Sequence, residues 1–413
     1  MNRTIRAPEL IEKTDLCVKC GLCLPHCPSY NLRQDENESP RGRIALIQGW
    51  AQGELEAGEK LVSHTDHCLL CRACETACPA KVPYAEILDK FRSKVRGTRT
   101  PYLRKFRRFL LTRMLATSQS DWLSGKVRLL AKSRPGIWAA RLLGFREIAL
   151  GLPETFAPEP PARAQKASRI DSGNLPVQFF VGCTGRLLDA ETLDACLNLI
   201  EHLGFSPEIP ENQSCCGALD LHAGNAEEAE RLARKNTKAF GEKEHKTIVG
   251  CASGCGAMLK EYPEALGNLG ERFEDISDFL SQASWPEDLE VAPLHAQAVL
   301  HTPCSLRNVL KTQNGPLNIL KRIPGLQLIE LPVSQGCCGA AGSFMIEHPN
   351  ESRAYREKLL DSTVSKSPDF LLTSNPGCAI HLRAGLRERG LGALEVLHPA
   401  TLLWRQIQIK ERS

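Results

Sequence analysis

Cys17, Cys20, Cys23 and Cys27 stand in the spacing C-x2-C-x2-C-x3-C, and Pro28 closes the run. Cys68, Cys71, Cys74 and Cys78 repeat that spacing, with Pro79 behind them. No other feature limits the possible folds of the chain so tightly. This is the run that holds [4Fe–4S] clusters. Three thiolates on one tight turn reach three irons of a cubane, and the fourth ligand must arrive from elsewhere. Where a chain carries two such runs, it comes from the other run. One cluster is therefore expected on Cys17, Cys20, Cys23 and Cys78, and the other on Cys68, Cys71, Cys74 and Cys27. The crossing ties both runs into one small unit.

Eighteen cysteines in 413 residues also raise the idea of a secreted, disulfide-stapled chain. Three observations oppose it. Met1 to Leu10 holds two arginines and no apolar stretch of the signal-peptide kind. The cysteines gather in ligand-type clusters. A chain of this length builds a core without staples. A cytoplasmic, reducing compartment is the expectation. No run of about 18–20 apolar residues suggests a membrane-spanning helix.

The net charge of +4 conceals an asymmetry. Lys90 to Arg146 carries 16 basic residues and 1 acidic one, whereas the flanks are both acidic on balance. Within this block Leu103, Phe106, Leu110 and Met114 share a helical face, and Arg104, Lys105, Arg107 and Arg108 crowd the others. The pattern predicts a basic amphipathic helix. Three readings stay open for it: a dock for an acidic partner subunit, contact with an anionic membrane surface, and a solvated helix face. No nucleic-acid-binding motif accompanies the charge.

Between the two cysteine runs, Ser39-Pro40 marks a helix start and predicts a helix over about Pro40 to Leu55. Arg41 and Arg43 in its first turn either offset negative charge on thiolates or reduced clusters, or are simply solvated. A second helix opens at Ala85–Phe91. Gly151 to Asn174, with four prolines between Pro153 and Pro161, reads as a linker.

The C-terminal half is an internal duplication. In the first copy a buried-strand pattern, Val177–Val181, leads to Cys183. Cys215-Cys216-Gly217 follows 32 residues later, and Thr247–Val249 runs into Cys251 and Cys255. In the second copy Ala298–His301 leads to Cys304. Cys337-Cys338-Gly339 follows after 33 residues, and Phe370–Leu372 leads to Cys378. Strands alternating with helices predict parallel α/β units with the cysteines at strand ends. Cys183, Cys215, Cys216 and Cys255, and in the second copy Cys304, Cys337, Cys338 and Cys378, are candidates for metal or cluster ligands. A dithiol/disulfide role is the main rival, and buried structural thiols the third. His222, His301 and His398 lie nearby and receive no role. No G-x-G-x-x-G turn joins a strand to a helix, so no dinucleotide site is expected on this chain.

The expected architecture is therefore α + α/β. An all-helical, bacterial-type 2[4Fe–4S] ferredoxin domain (1–98) is followed by a basic helical segment (99–150) and a linker (151–174). Two Cys-Cys-Gly α/β domains complete it (175–290 and 291–413).

Taken together, Asp15–Cys23, Ser39–Ile44, Cys68–Cys74 and the doubled Cys-Cys-Gly half resemble the glycolate oxidase iron–sulfur subunit family from Asp15 to about Trp404. The resemblance implies an electron-transfer subunit of a multi-subunit 2-hydroxy-acid oxidoreductase. Flavin-bearing partner subunits would oxidise glycolate to glyoxylate. This chain would pass the electrons to a quinone or other membrane acceptor, from the cytoplasm or from a peripheral position at the inner face of the cytoplasmic membrane through residues 99–146. The same layout occurs in subunits acting on lactate, glycerol 3-phosphate or heterodisulfides. A cluster- or thiol-based redox sensor is the alternative of another class. In the heterodisulfide relatives each repeat has five cysteines with a closing C-x-x-C. Here Cys251 and Cys255 are spaced C-x3-C, and Ser374 stands where the second copy would match Cys251.

Overall fold

A computed structural model of the chain describes residues 5–95, 140, 144–153, 175–241, 245–332 and 337–412. The amphipathic helix expected over 103–115 and most of the linker lie outside the described residues.

The N-terminal unit is helical: Pro8–Asp15, Pro28–Arg33, Pro40–Ala51, Glu59–Asp66, Ala73–Thr76 and Tyr84–Val95. Three of these helices carry proline in the first turn, where its missing N–H costs nothing. The Ser39 hydroxyl caps the Pro40–Ala51 helix by accepting the Gly42 N–H at 2.9 Å. That helix stops at Ala51, short of the expected Leu55. Gly53 takes φ 76°, and the N–H groups of Glu54 and Leu55 turn back to the Gly49 carbonyl. Ile44, Ile47 and Trp50 face Leu10, Ile87, Leu88 and Phe91 in one core, with Trp50 edge-on to Phe91 at 5.0 Å.

The C-terminal half holds two four-stranded parallel sheets of identical topology. The first has β1 (Leu175–Phe180), β2 (Phe205–Glu208), β3 (Ile248–Gly250) and β4 (Phe273–Asp275) in the order β2-β1-β3-β4. The second has β5 (Gln297–His301), β6 (Gln327–Glu330), β7 (Phe370–Thr373) and β8 (Glu395–Leu397) in the order β6-β5-β7-β8. In each, the chain leaves the first strand to one side and the third to the other. A crevice therefore opens beyond the carboxyl ends of the two central strands, where α/β sheets place ligands.

The two copies share a continuous core. Leu193, Leu199 and Ile200 of the Ala190–His202 helix lie in one cluster with Leu402, Leu403 and Ile407 of the Pro399–Arg412 helix. The final helix of the second copy thus packs on the first. Each fully buried Leu or Ile there contributes about 2 kcal/mol. The Arg146–Gly151 helix, expected at the end of the basic segment, lies flat on the Pro376–Glu388 helix of the second copy. A Cβ at Gly151 would sit 2.1 Å from the Ile380 carbonyl oxygen, so only glycine permits this approach.

Candidate iron–sulfur and thiol centre

Both cysteine runs adopt the same backbone turn. Lys19 (φ 56°) and Gly21 (φ 91°) flank Cys20, as Leu70 (φ 49°) and Arg72 (φ 59°) flank Cys71. Three of these four are not glycine, and each left-handed residue of that kind costs about 1–2 kcal/mol. Such turns point successive backbone N–H groups into a common concavity. The Leu70 N–H reaches the Cys68 sulfur at 3.4 Å.

Cys27 leaves its own run and joins Cys68, Cys71 and Cys74 around a cavity of about 20 Å³. The Tyr84 hydroxyl donates to Cys68 Sγ at 3.4 Å, and Ser29 Oγ lies 3.3 Å from Cys27 Sγ. Arg43 is fully buried behind them. It donates to Ser29 Oγ at 2.9 Å, to the His64 carbonyl at 2.6 Å and to Glu38 Oε2 at 2.6 Å. Burial would raise the Glu38 carboxyl. Hydrogen bonds from His67 and His64, with the Arg43 charge, outweigh it and hold the group at about 2. Arg43 is thus no solvated helix-start residue. Arg41 serves differently: it donates to the Lys19 carbonyl at 3.0 Å and to Glu36 at 2.7 Å, bracing the first turn.

Burial drives the Cys71 and Cys74 thiols well above their usual range. A dry pocket of four thiols becomes anionic most readily when a metal takes the protons' place. The donor set, the buried guanidinium and the Tyr84 hydroxyl that donates to sulfur fit an iron–sulfur cluster. In the other set, Cys20 is exposed, while Cys17, Cys23 and Cys78 pack at the margin of the helical core. Burial raises the Cys23 thiol, opposed by a hydrogen bond from the Arg41 backbone.

The eight Cys-Cys-Gly candidates form two groups of four at the strand ends. Cys183 follows β1, Cys215 and Cys216 follow β2, and Cys255 follows β3. Cys304, Cys337 with Cys338, and Cys378 repeat this around β5, β6 and β7. Cys183 and Cys215 sulfurs are 3.5 Å apart, and the Cys216 thiol hydrogen-bonds with Cys215 and Cys255. In the second group hydrogen bonds link the free thiols of Cys304 and Cys337, Cys337 and Cys338, and Cys338 and Cys378, the last at 2.7 Å. Hydrogen bonds from Cys183 and Cys216 pull the Cys215 thiol well below its usual range. Each group closes on a glycine that no other residue replaces easily. Gly339 has φ 81°, and a Cβ there would meet the Ser352 carbonyl at 2.3 Å. A tetrahedral ion with metal–sulfur bonds near 2.3 Å spaces its sulfurs about 3.8 Å apart. Cys183 and Cys215 at 3.5 Å lie near that spacing; four soft donors gathered in one group suit a metal or cluster, and they also suit thiol exchange.

Both groups face one cavity of about 280 Å³, which Cys68 and Cys71 also line. Ten thiols from three parts of the chain therefore meet at one place. Cys251 does not join them. It is 4% exposed, turns into the hydrophobic core and bonds to Cys196. The expected closing pair of Cys251 and Cys255 is thus split, and each copy has four inward thiols rather than five and four. Cys251→Ala is expected to leave metal and sulfide content unchanged, whereas Cys255→Ser lowers any metal held by the first copy. Elemental analysis of both variants checks this.

The histidines prove structural or docking groups. Burial pushes His301 and His398 down to about 3. His222 meets the Asp89 carboxylate at 3.2 Å, and Arg92 donates to the His222 carbonyl at 3.1 Å, so the helical unit docks on the first copy there. Sequence reasoning missed Arg307 and Asn308, which carry no motif. Asn308 donates to the Cys71 carbonyl at 2.7 Å.

A helical unit with two cluster-type cysteine sets, whose Cys68 and Cys71 line the same cavity as the thiols of a doubled Cys-Cys-Gly α/β unit, defines an iron–sulfur electron-transfer protein. A family model described as a 4Fe-4S dicluster domain matches residues 13–82, and one described as a cysteine-rich domain matches 177–260 and 298–383. The chain is 31% identical to the glycolate oxidase iron–sulfur subunit of Escherichia coli, covering 97% of each protein. It is 30% identical to the probable glycolate oxidase iron–sulfur subunit of Bacillus subtilis, over 94% of this chain and 92% of that one. Lactate utilization protein A of Geobacillus kaustophilus is 28% identical over 55% of this chain. The chain belongs to the family of glycolate oxidase iron–sulfur subunits. No helix among the described residues is long and apolar enough to cross a membrane.

Proposed function

We propose that this chain is the electron-transfer subunit of a glycolate-oxidising complex. Flavin subunits would oxidise glycolate to glyoxylate, and this chain would relay the electrons towards a quinone-type acceptor. The observation that carries the reading is the meeting of ten thiols from three parts of the chain at one cavity. It has the form of a relay with an inward end. Full-length likeness to two glycolate oxidase subunits supports the substrate.

Cys17, Cys20, Cys23 and Cys78 would hold one cluster, and Cys27, Cys68, Cys71 and Cys74 the other. When bound, each cluster carries one electron at a time. The chain's own residues do the rest. The left-handed turns aim backbone N–H groups at sulfur, Tyr84 donates to Cys68, Ser29 lies against Cys27, and Arg43 supplies buried positive charge. The basic stretch Lys90–Arg146 would dock the flavin subunits or an anionic membrane surface. A lactate-oxidising complex is the second reading, favoured by the likeness to lactate utilization protein A.

The test is anaerobic co-purification of the complex with flavin, iron and sulfide analysis and EPR. Two cubane signals reduced by glycolate are expected. Reduction by lactate and not by glycolate would select the second reading. A preparation with one cubane or none would exclude both.

A further inference from the structure

The turn after Cys304 differs from its counterpart in the first copy. There, Cys183 lies in an ordinary α-helical segment, Gly182–Leu188. Here Leu306–Leu310 is π-helical and ends on Lys311 at φ 60°. Such single-turn π segments are rare and gather at functional sites. This one anchors Leu306 in the protein interior and sends Asn308 across to the helical unit. Asn308 donates to the Cys71 carbonyl at 2.7 Å and accepts from Thr76 Oγ1 at 3.3 Å.

Between those anchors stands Arg307, half-buried. It donates to the Thr302 carbonyl at 3.2 Å. Among the described residues no carboxylate pairs with it. Arg43 and Arg72 differ: Glu38 neutralises the first, and Glu75 with Glu261 the second. Burial works against the Arg307 cation and lowers its pKa on balance; the groups that oppose this, when ionised, are Cys304, Cys337 and Cys71. Two belong to the second four-thiol group, and one to the Cys27–Cys68–Cys71–Cys74 set.

We propose that Arg307 sets the redox poise of the junction between these two thiol sets, while Asn308 holds their separation. Arg307 is a positioning charge and touches no substrate. Each reduction adds negative charge on one side of the junction. A half-buried guanidinium with no carboxylate partner among the described residues favours that reduced form more than a neutralised one does. The proposal rests on the cluster assignment given above and is independent of the substrate.

The experiment is an EPR-monitored redox titration of the full chain, anaerobic, with dithionite as reductant. Wild type is compared with Arg307→Gln, Arg307→Met (which keeps the apolar stem) and Arg307→Lys. The two neutral variants are expected to need a more reducing poise for the cluster assigned to Cys27, Cys68, Cys71 and Cys74. At the poise that half-reduces wild type, their reduced fraction should fall several-fold. Arg307→Lys should recover most of it, and the cluster assigned to Cys17, Cys20, Cys23 and Cys78 should not move. An iron-replete neutral variant with the wild-type curve overturns the proposal. So does an equal shift of both clusters, or loss of cluster iron in both neutral variants, since Arg307 would then be structural. Because dithionite replaces the substrate, a wrong choice of glycolate leaves this outcome untouched.

Discussion

Cys27→Ser is expected to remove about half of the chain's cluster iron, and to remove it from the second cysteine run rather than the first. The side chain belongs to the first run in sequence, yet it lines the same small cavity as Cys68, Cys71 and Cys74. A serine hydroxyl holds its proton far more tightly than a thiol and is a harder donor, so it substitutes poorly on iron. The pocket gives it no help. Cys27 is buried, its neighbour Ser29 is already engaged by Arg43, and burial raises the Cys71 and Cys74 thiols. Cys78→Ser should give the complementary loss. Uncrossed ligation predicts the reverse, with Cys27→Ser costing the cluster of Cys17, Cys20 and Cys23. Iron and sulfide analysis establishes that one cluster is lost. EPR of each variant combined with Cys20→Ser establishes which one, because Cys20 lies on the exposed set alone. A Cys27→Ser protein with both signals intact would rule out its place in the pocket.

The place of Cys27 beside the second run was legible because the spacing points to it. The four-residue runs sit on turns too tight for a fourth thiol, and Pro28 and Pro79 direct the chain away. The doubled half was legible for a similar reason: central strands such as Val177–Val181 and Ala298–His301 are buried on both faces and read as continuous apolar runs. The flanking strands were not. β2 contains Pro207, β6 begins and ends with exposed polar residues, and β4 and β8 are three residues long. An edge strand needs only one neighbour and leaves little pattern. The fate of Cys251 was hidden too. C-x3-C resembles a ligand pair on paper, but β3 ends at Gly250, so Cys251 turns into the core and Cys255 falls one helical turn later, facing the cavity. Asn308 acts across a contact of 237 residues in sequence, and no local pattern marks such a contact.

Glu147→Gln is expected to destabilise the chain by about 3 kcal/mol, chiefly by releasing the Arg146–Gly151 helix. Glu147 is 3% exposed. It accepts from Arg353 at 2.8 Å and from Arg356 at 2.7 Å, and His381 Nδ1 lies at 3.6 Å. Arg356 is itself buried. A neutral amide leaves that guanidinium with less negative charge and points an N–H group at two other donors. The same residues predict the pH dependence. Burial raises the Glu147 carboxyl, but His381, Arg353 and Arg356 outweigh it and hold the group at about 2, against an ordinary 4.5. A lowered folded-state value means the stabilisation is complete above pH 4.5 and is lost as pH falls towards 2. At about 1.4 kcal/mol per unit the shift amounts to roughly 3 kcal/mol, in line with the mutational figure. The thermal midpoint gap between wild type and Glu147→Gln should therefore stay constant from pH 5 to 8 and narrow below 4.5. Limited proteolysis at pH 7 locates the effect, with new cleavage expected within residues 144–153. The helix is also held by Arg387, which donates to the Leu150 and Leu152 carbonyls, by Arg146 against Glu388, by Ile148 packed on the second copy's core, and by the close approach of Gly151. A gap that widens in acid, or cleavage no faster than wild type, would show that Glu147 does not clamp the returning chain to the second copy.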